Sequence, residues 1–92
     1  MVEVIIKNKI NNLEAYLPLA KKFASDACCD AGCLGMNVLI SPEDKEHVVF
    51  VSQWECKSDF EAHCSGTTFK RHIPLMAQYY EGGTDTIYEV VQ

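Results

Sequence analysis

The residues of this chain best suited to chemistry fall within Trp54–Phe69, WECKSDFEAHCSGTTF, where one histidine sits among aromatic and small side chains. An imidazole accepts a proton near neutral pH, so His63 is a candidate general base toward a phenolic or enolic substrate. The competing role for His63 is structural, a ring packed on a short helix and donating to a backbone carbonyl. Trp54 carries an indole N–H that needs a partner when buried and can orient a substrate oxygen; its other reading is a wall of the core. Asn8 is polar where an apolar strand ends, so it either hydrogen-bonds a substrate carbonyl or shapes a turn with Asn11 and Asn12. Phe50 and Phe60 would be apolar walls of the same pocket. Of Tyr79 and Tyr80, one is expected in the core and one at the cavity mouth, with Tyr79 the candidate for substrate contact. Arg71 and His72 read as a solvated helix face.

The elements that must position these groups follow from periodicity. Val2, Val4 and Ile6 alternate with Glu3, Ile5 and Lys7, which predicts a strand over Val2–Lys7. Asn11-Asn12 can cap a helix, with Asn11 and Glu14 as a capping-box-like pair, and Leu13, Tyr16, Leu17, Ala20, Ala24 and Ala27 form its apolar stripe. Pro18 interrupts that stripe at a cost of about 3 kcal/mol in a helix interior, so a kink or a late helix start is expected. Met36–Ile40 and about His47–Glu55 read as strands joined by the turn Ser41-Pro42-Glu43-Asp44. Ser58-Asp59-Phe60-Glu61 has the form of a capping box, and Phe60, His63 and Cys64 then share one helix face. A longer helix is expected from Thr68 to Tyr80, kinked or divided at Pro74 and ended by Gly82-Gly83, before a last strand over Thr86–Val91.

The order β-α-β-β-α-β is the ferredoxin-like split unit, an α+β fold with helices on one face of a four-stranded antiparallel sheet. In the third strand Val48, Phe50 and Trp54 point one way, and Val49 and Val51 the other. Leu39 and Val90 likewise lie opposite Val38, Ile40 and Val91. A sheet apolar on both faces with one helical layer needs a second cover, which predicts a homodimer packed through the sheet face. The catalytic or binding cavity then lies between sheet and helices.

Composition narrows the classes. Ninety-two residues make a single domain over 1–92. A formal net charge of −5 leaves no basic patch for nucleic acid. Apolar runs too short to span a bilayer and the absence of a signal-peptide pattern predict a cytoplasmic protein without membrane contact. The five cysteines, Cys28, Cys29, Cys33, Cys56 and Cys64, are odd in number and match no paired zinc spacing. They read as small buried thiols, with no metal site expected. No dinucleotide fingerprint, phosphate-binding loop or H-E-x-x-H motif is present, so no cofactor is expected.

Taken in order, Gly32-Cys33-Leu34-Gly35, Trp54, Ala62-His63 and Phe69 make the chain resemble the antibiotic biosynthesis monooxygenase family, from Ala31 to Tyr80. The resemblance implies a dimeric α/β barrel and, for part of the family, cofactor-independent oxygenation of a quinol or anthrone. In that chemistry the substrate is deprotonated and passes an electron directly to O₂. Anthrone-oxidising members carry Asn four residues before the Trp and Tyr six after it, where this chain has Phe50 and Phe60. A haem-degrading branch is matched at Asn8, but its Trp and His positions are His63 and Ile73 here, with His72 one residue, about 100° of helix rotation, away. A third branch isomerises small phosphorylated ketones; few basic residues besides Lys70 and Arg71 are available for such a substrate. The leading expectation is a cofactor-independent monooxygenase of a small quinol- or phenol-type substrate, with His63 as base. Its rivals are a non-catalytic dimeric module that binds an apolar small molecule and a cofactor-free isomerase.

Overall fold

The computed structural model describes all residues, Met1–Gln92. Strand β1 (Val2–Ile10) leads to helix α1 (Leu13–Ala27), the hairpin β2 (Cys33–Ser41) and β3 (Asp44–Trp54), helices α2 (Lys57–Cys64) and α3 (Thr67–Met76), a 3₁₀ turn (Ala77–Tyr79) and strand β4 (Tyr80–Glu89). The sheet order is β2-β3-β1-β4, with all neighbours antiparallel. This is the ferredoxin-like α+β fold. No helix is long and apolar enough to cross a membrane.

Alternation in the central strands sets the core. Val4 and Ile10 of β1 and Val48, Phe50, Ser52 and Trp54 of β3 are buried beneath the helices, while their neighbours in sequence face outward. The period runs on through Asn8 to Ile10, so β1 is longer than Val2–Lys7. Asn8 is a polar interruption within the strand, opposite Val48 on one side and Gly83 on the other. From α1 come Tyr16, Ala20, Phe23, Ala24 and Ala27. Phe23, absent from the expected stripe, is its aromatic centre, with ring centroids 5.8 Å from Phe50, 6.2 Å from Phe69, 5.7 Å from His63 and 5.8 Å from His72. A second cluster joins Val4, Trp54 and Phe60.

Local chemistry differs from expectation at several ends. Asn12 alone caps α1: with φ of 56° it accepts the Ala15 N–H at 3.3 Å, while Asn11 donates to Glu81 at 3.2 Å instead of pairing with Glu14. Pro18 lies inside α1 without ending it. The Ser58–Glu61 capping box does not form. Helix α2 begins at Lys57 with Cys56 as its extended N-cap, which puts Ser58 inside the first turn, 3.1 Å from the Cys56 Sγ. Helix α3 continues two residues past Pro74 and then tightens into the 3₁₀ turn rather than running to Tyr80.

The largest correction concerns Gly82-Gly83. They lie within β4, which starts at Tyr80 and stops before Val90, instead of ending a helix ahead of a strand at Thr86. The ladder shifts register between Lys9 and Ile10, which leaves Glu81 as the extra residue of a bulge beside Gly82, whose φ is 130°. Val90 still donates its N–H to the Met1 carbonyl at 3.0 Å, just beyond the strand. On the far face of the sheet, alternation presents Ile5, Val49, Val51, Leu39 and Tyr88 among Glu3, Lys7, Asn37, Gln53, Thr84 and Thr86. A second shift falls between Leu39 and Ser41, and Leu39 and Ile40 are both exposed there.

Helices α1 and α3 are joined by charge as well as by packing. His72, expected on a solvated face, is buried, with Nε2 2.6 Å from Asp26 Oδ2; exposed Arg71 reaches the same oxygen at 3.3 Å. The hydrogen bond from His72, then the charges of His72, Arg71 and Lys22, hold the Asp26 carboxyl below its ordinary range despite some desolvation. A carboxylate whose folded pKa is depressed stabilises the fold above its unfolded value, roughly 3.9, and loses that contribution as pH falls through the lower folded value. Urea unfolding should therefore show a larger stability gap between wild type and Asp26→Asn at pH 5 than at pH 3. Equal gaps at the two values would mean that Asp26 holds no such pairing.

Candidate active site

One apolar cavity of about 350 Å³ lies between the sheet and the helices, within the size range of small-molecule sites. Its walls are Phe23 from α1, Ile6 and Phe50 from the sheet, and Phe60, Phe69 and Ile73 from α2 and α3. The side chains with hydrogen-bonding or ionisable groups are His63, Asn8, Tyr16, Tyr80, Thr84, Asp85 and Cys64. Four of the expected site residues, His63, Asn8, Phe50 and Phe60, line this space together. Trp54 and Tyr79 do not.

His63 is held from every side. It falls one turn after Phe60 on α2, so both project into the core. Its ring centroid is 4.9 Å from that of Trp54, 5.8 Å from Phe69 and 6.1 Å from Phe60. Nδ1 is 2.6 Å from Asp30 Oδ2, and the His63 side chain is 2% exposed. The other Asp30 oxygen accepts from Thr68 Oγ1 at 2.8 Å. With Asp30 accepting at both oxygens, Nδ1 is the donor in this bond, and in the neutral ring Nε2 is then the nitrogen with the lone pair. Every sealed side-chain nitrogen or oxygen has a partner, and Nε2 has none, so Nε2 is the ring atom that keeps access to the cavity.

Asp30 reaches this position from the loop between α1 and β2, 33 residues away in sequence. Successive turns build that loop: Asp30 donates its N–H to Ala27 and accepts from the Cys33 N–H, at 3.0 and 3.1 Å. Gly32 follows with φ of 81°, and a side chain there would overlap the Asp59 carboxyl. The sequence reading missed Asp30 and Thr68. The one local hint was a short polar residue just past a helix end and ahead of a glycine.

A second polar group stands where β1 and β4 meet. Asn8 packs its side chain over Gly83, where any Cβ would collide with Asn8 Oδ1, approach the Lys7 carbonyl within 2.8 Å and the Tyr80 hydroxyl within 3.2 Å. Glycine at 83 is thus what leaves room for Asn8 to face the cavity. Tyr16, 1% exposed, belongs to the same group. Burial raises its phenol above the ordinary value, the Asn8 side chain opposes this, and Tyr80 adds to it.

The remaining candidates are structural by their contacts. Trp54 is fully buried and donates its indole N–H to Ser52 Oγ at 2.9 Å, so that donor is already used. Tyr79 packs edge-on against Tyr16, centroids 6.4 Å apart, and of the pair Tyr79-Tyr80 it is Tyr80 that lines the cavity. The cysteines are not buried thiols: Cys28, Cys29 and Cys56 are exposed, Cys33 and Cys64 half-buried, and all five are free. Burial pushes the Cys33 and Cys64 thiols up, against reactivity as thiolates. No three His, Cys, Asp or Glu side chains are grouped to hold a metal ion.

A ferredoxin-like sheet with an inner apolar cavity and one oriented histidine places the chain in the α+β class. The sequence profile of the antibiotic biosynthesis monooxygenase family matches residues 1–75, and the chain belongs to that family. Solved structures agree in fold. A crystal structure of an antibiotic biosynthesis monooxygenase superposes with a TM-score of 0.89 at 24% identity, covering 100% of both chains. A putative antibiotic biosynthesis monooxygenase from Nitrosomonas europaea gives 0.90 at 17% identity, also over 100% of both chains. SnoaB from Streptomyces nogalater, a cofactor-independent oxygenase, gives 0.88 at 11% identity over 99% of this chain and 93% of that one. Among curated proteins there is no match.

Replacing Asp30 by Asn removes the carboxylate from Nδ1 and keeps the side-chain volume. Ring ¹⁵N shifts of His63 should show the Nδ1-protonated form in wild type and a mixture of ring forms in Asp30→Asn. The same His63 spectrum in both proteins would show that Asp30 does not set the ring's proton position.

Proposed function

We propose that this protein is a cofactor-independent monooxygenase acting on a small quinol- or phenol-type aromatic substrate, with His63 as general base. The observation that carries this reading is His63 itself: Nδ1 is tied to Asp30, while Nε2 opens on an apolar cavity. A phenolic O–H directed at Nε2 passes its proton to the ring, and Asp30 stabilises the imidazolium that forms. Asn8 and the Tyr16 hydroxyl, which line the same cavity, supply hydrogen bonds to a second substrate oxygen, over which the charge of the conjugated anion spreads. The deprotonated ring gives an electron to O₂, and the radical pair combines at a ring carbon. Loss of water from the resulting hydroperoxide leaves a new carbonyl. One oxygen atom of O₂ ends in the product and the other in water, with the substrate as the only reductant. The likeness to SnoaB in fold and the family membership support the reaction class.

The second reading is a non-catalytic binder of an apolar small molecule. It is favoured by Phe50 and Phe60, which place aromatic walls where anthrone-oxidising relatives are expected to have polar groups. In either case the functional unit is a homodimer joined through the outer sheet face, where Ile5, Leu39, Val49, Val51 and Tyr88 form an apolar band.

Oxygen uptake by metal-stripped protein across a panel of hydroquinones and anthrones tests the reaction. Turnover is expected for wild type, with a loss of roughly 10²–10⁴-fold in His63→Ala if the ring is a general base. No uptake above the His63→Ala protein would favour the binder. Sedimentation equilibrium should give twice the mass of the chain for wild type and a monomer for Val51→Lys; a monomeric wild type would remove the dimer from the reading.

A further inference from the structure

The charge pattern of the cavity restricts what can enter it. No lysine or arginine lines it, and Asp85 is its one carboxylate. Asp85 pairs with Ile6 across β1 and β4, which sets it on the inner, helix-facing side of the edge strand beside the cavity. The cations of the surrounding elements point elsewhere. Lys7 and Lys9 alternate with Ile6 and Asn8 and lie on the outer face of the sheet. On α3, Lys70 is exposed outside the lining and Arg71 is turned to Asp26.

The two carboxylates Asp85 and Glu61 bear on half-buried Cys64 in the lining. After burial, the charges of Asp85 and then Glu61 are what raise the Cys64 thiol, one residue beyond His63. Burial, opposed by Asn8, raises the Tyr16 phenol at the other polar group, and no cation lowers either. An anion entering this space would lose its water without gaining a positive partner, and would meet a carboxylate on the way.

We propose that Asp85 is a specificity-determining residue that admits uncharged or cationic aromatic compounds to the cavity and rejects carboxylated, sulfonated or phosphorylated ones. This rests on the reading of the cavity as an aromatic-substrate site and adds the charge class of its ligand. It also separates this chain from the phosphorylated-ketone chemistry of the isomerase alternative.

The test is calorimetric titration with three probes that share one ring system: 1-naphthol, 1-naphthoate and 1-naphthylmethylammonium. Wild type should bind the neutral and cationic probes at least about tenfold more tightly than the anion, the scale set by one like charge at a partly solvated site. Asp85→Asn should narrow the naphthol-to-naphthoate ratio, and Asp85→Lys should invert it. Asp85 is exposed on the edge strand, and circular dichroism checks that both variants fold. Equal binding of naphthol and naphthoate by wild type, or an unchanged ratio in Asp85→Asn, would overturn the assignment and leave the aromatic site standing. Failure of wild type to bind any of the three probes would overturn both.

Discussion

The arrangement of the site depends on one carboxylate. Asp30 accepts from His63 at one oxygen and from Thr68 at the other, so it ties the loop after α1 to α2 and to α3 together. A buried imidazole without a partner for Nδ1 would cost about 1–3 kcal/mol, and it would also be free to rotate. Aromatic rings on several sides fix the plane of the imidazole, but packing alone cannot choose between its two nitrogens. Asp30 makes that choice. The same bond that stabilises the fold thereby determines which atom faces the cavity.

A similar pairing joins α1 to α3 through Asp26 and His72, whose ring also packs against Phe23. The two histidines thus flank one phenylalanine, each held by an aspartate from the C-terminal end of α1 or the loop beyond it. Only His63 lines the apolar cavity. His72, one residue from the position expected in haem-degrading relatives, lines a different surface with Lys22, Asp26 and Arg71. The rotation of about 100° per helical residue separates the two environments. Likeness in sequence order therefore does not carry a ligand role to His72.

The fold was legible because its signals are local and periodic. Alternation in Val48–Trp54 and the stripe from Tyr16 to Ala27 each follow from neighbours within a few residues, and the order of elements then leaves few topologies. The helix face joining Phe60 and His63 was readable for the same reason. Asp30 was not readable, since its contacts with His63 and Thr68 span 33 and 38 residues and depend on how the helices dock. Gly82-Gly83 misled because a glycine pair reads as a breaker. Its real cause is the Asn8 side chain lying across Gly83, a cross-strand contact that no local pattern announces. Ser58 misled differently: the box pattern is intact, but the helix begins one residue before it.

The departures at Phe50 and Phe60 from the pattern expected of anthrone-oxidising members bear on mechanism more than on fold. Both rings sit on the cavity wall, so the polar lining is His63 beside Cys64 on α2, Asn8 with Tyr16 and Tyr80, and Thr84 and Asp85 on β4. A substrate that reaches both His63 and Asn8 would be held by its two ends against walls that include Phe50 and Phe60. That suits a flat ring carrying oxygens on opposite sides, one facing Nε2 of His63 and one facing Asn8 and Tyr16. It suits a polyhydroxylated ring poorly, because each hydroxyl against Phe50 or Phe60 would lose its water without replacement. The aromatic walls thus bear on which substrate the proposed chemistry could use, and they leave His63 as the one imidazole in the lining, the side chain type that exchanges a proton near neutral pH.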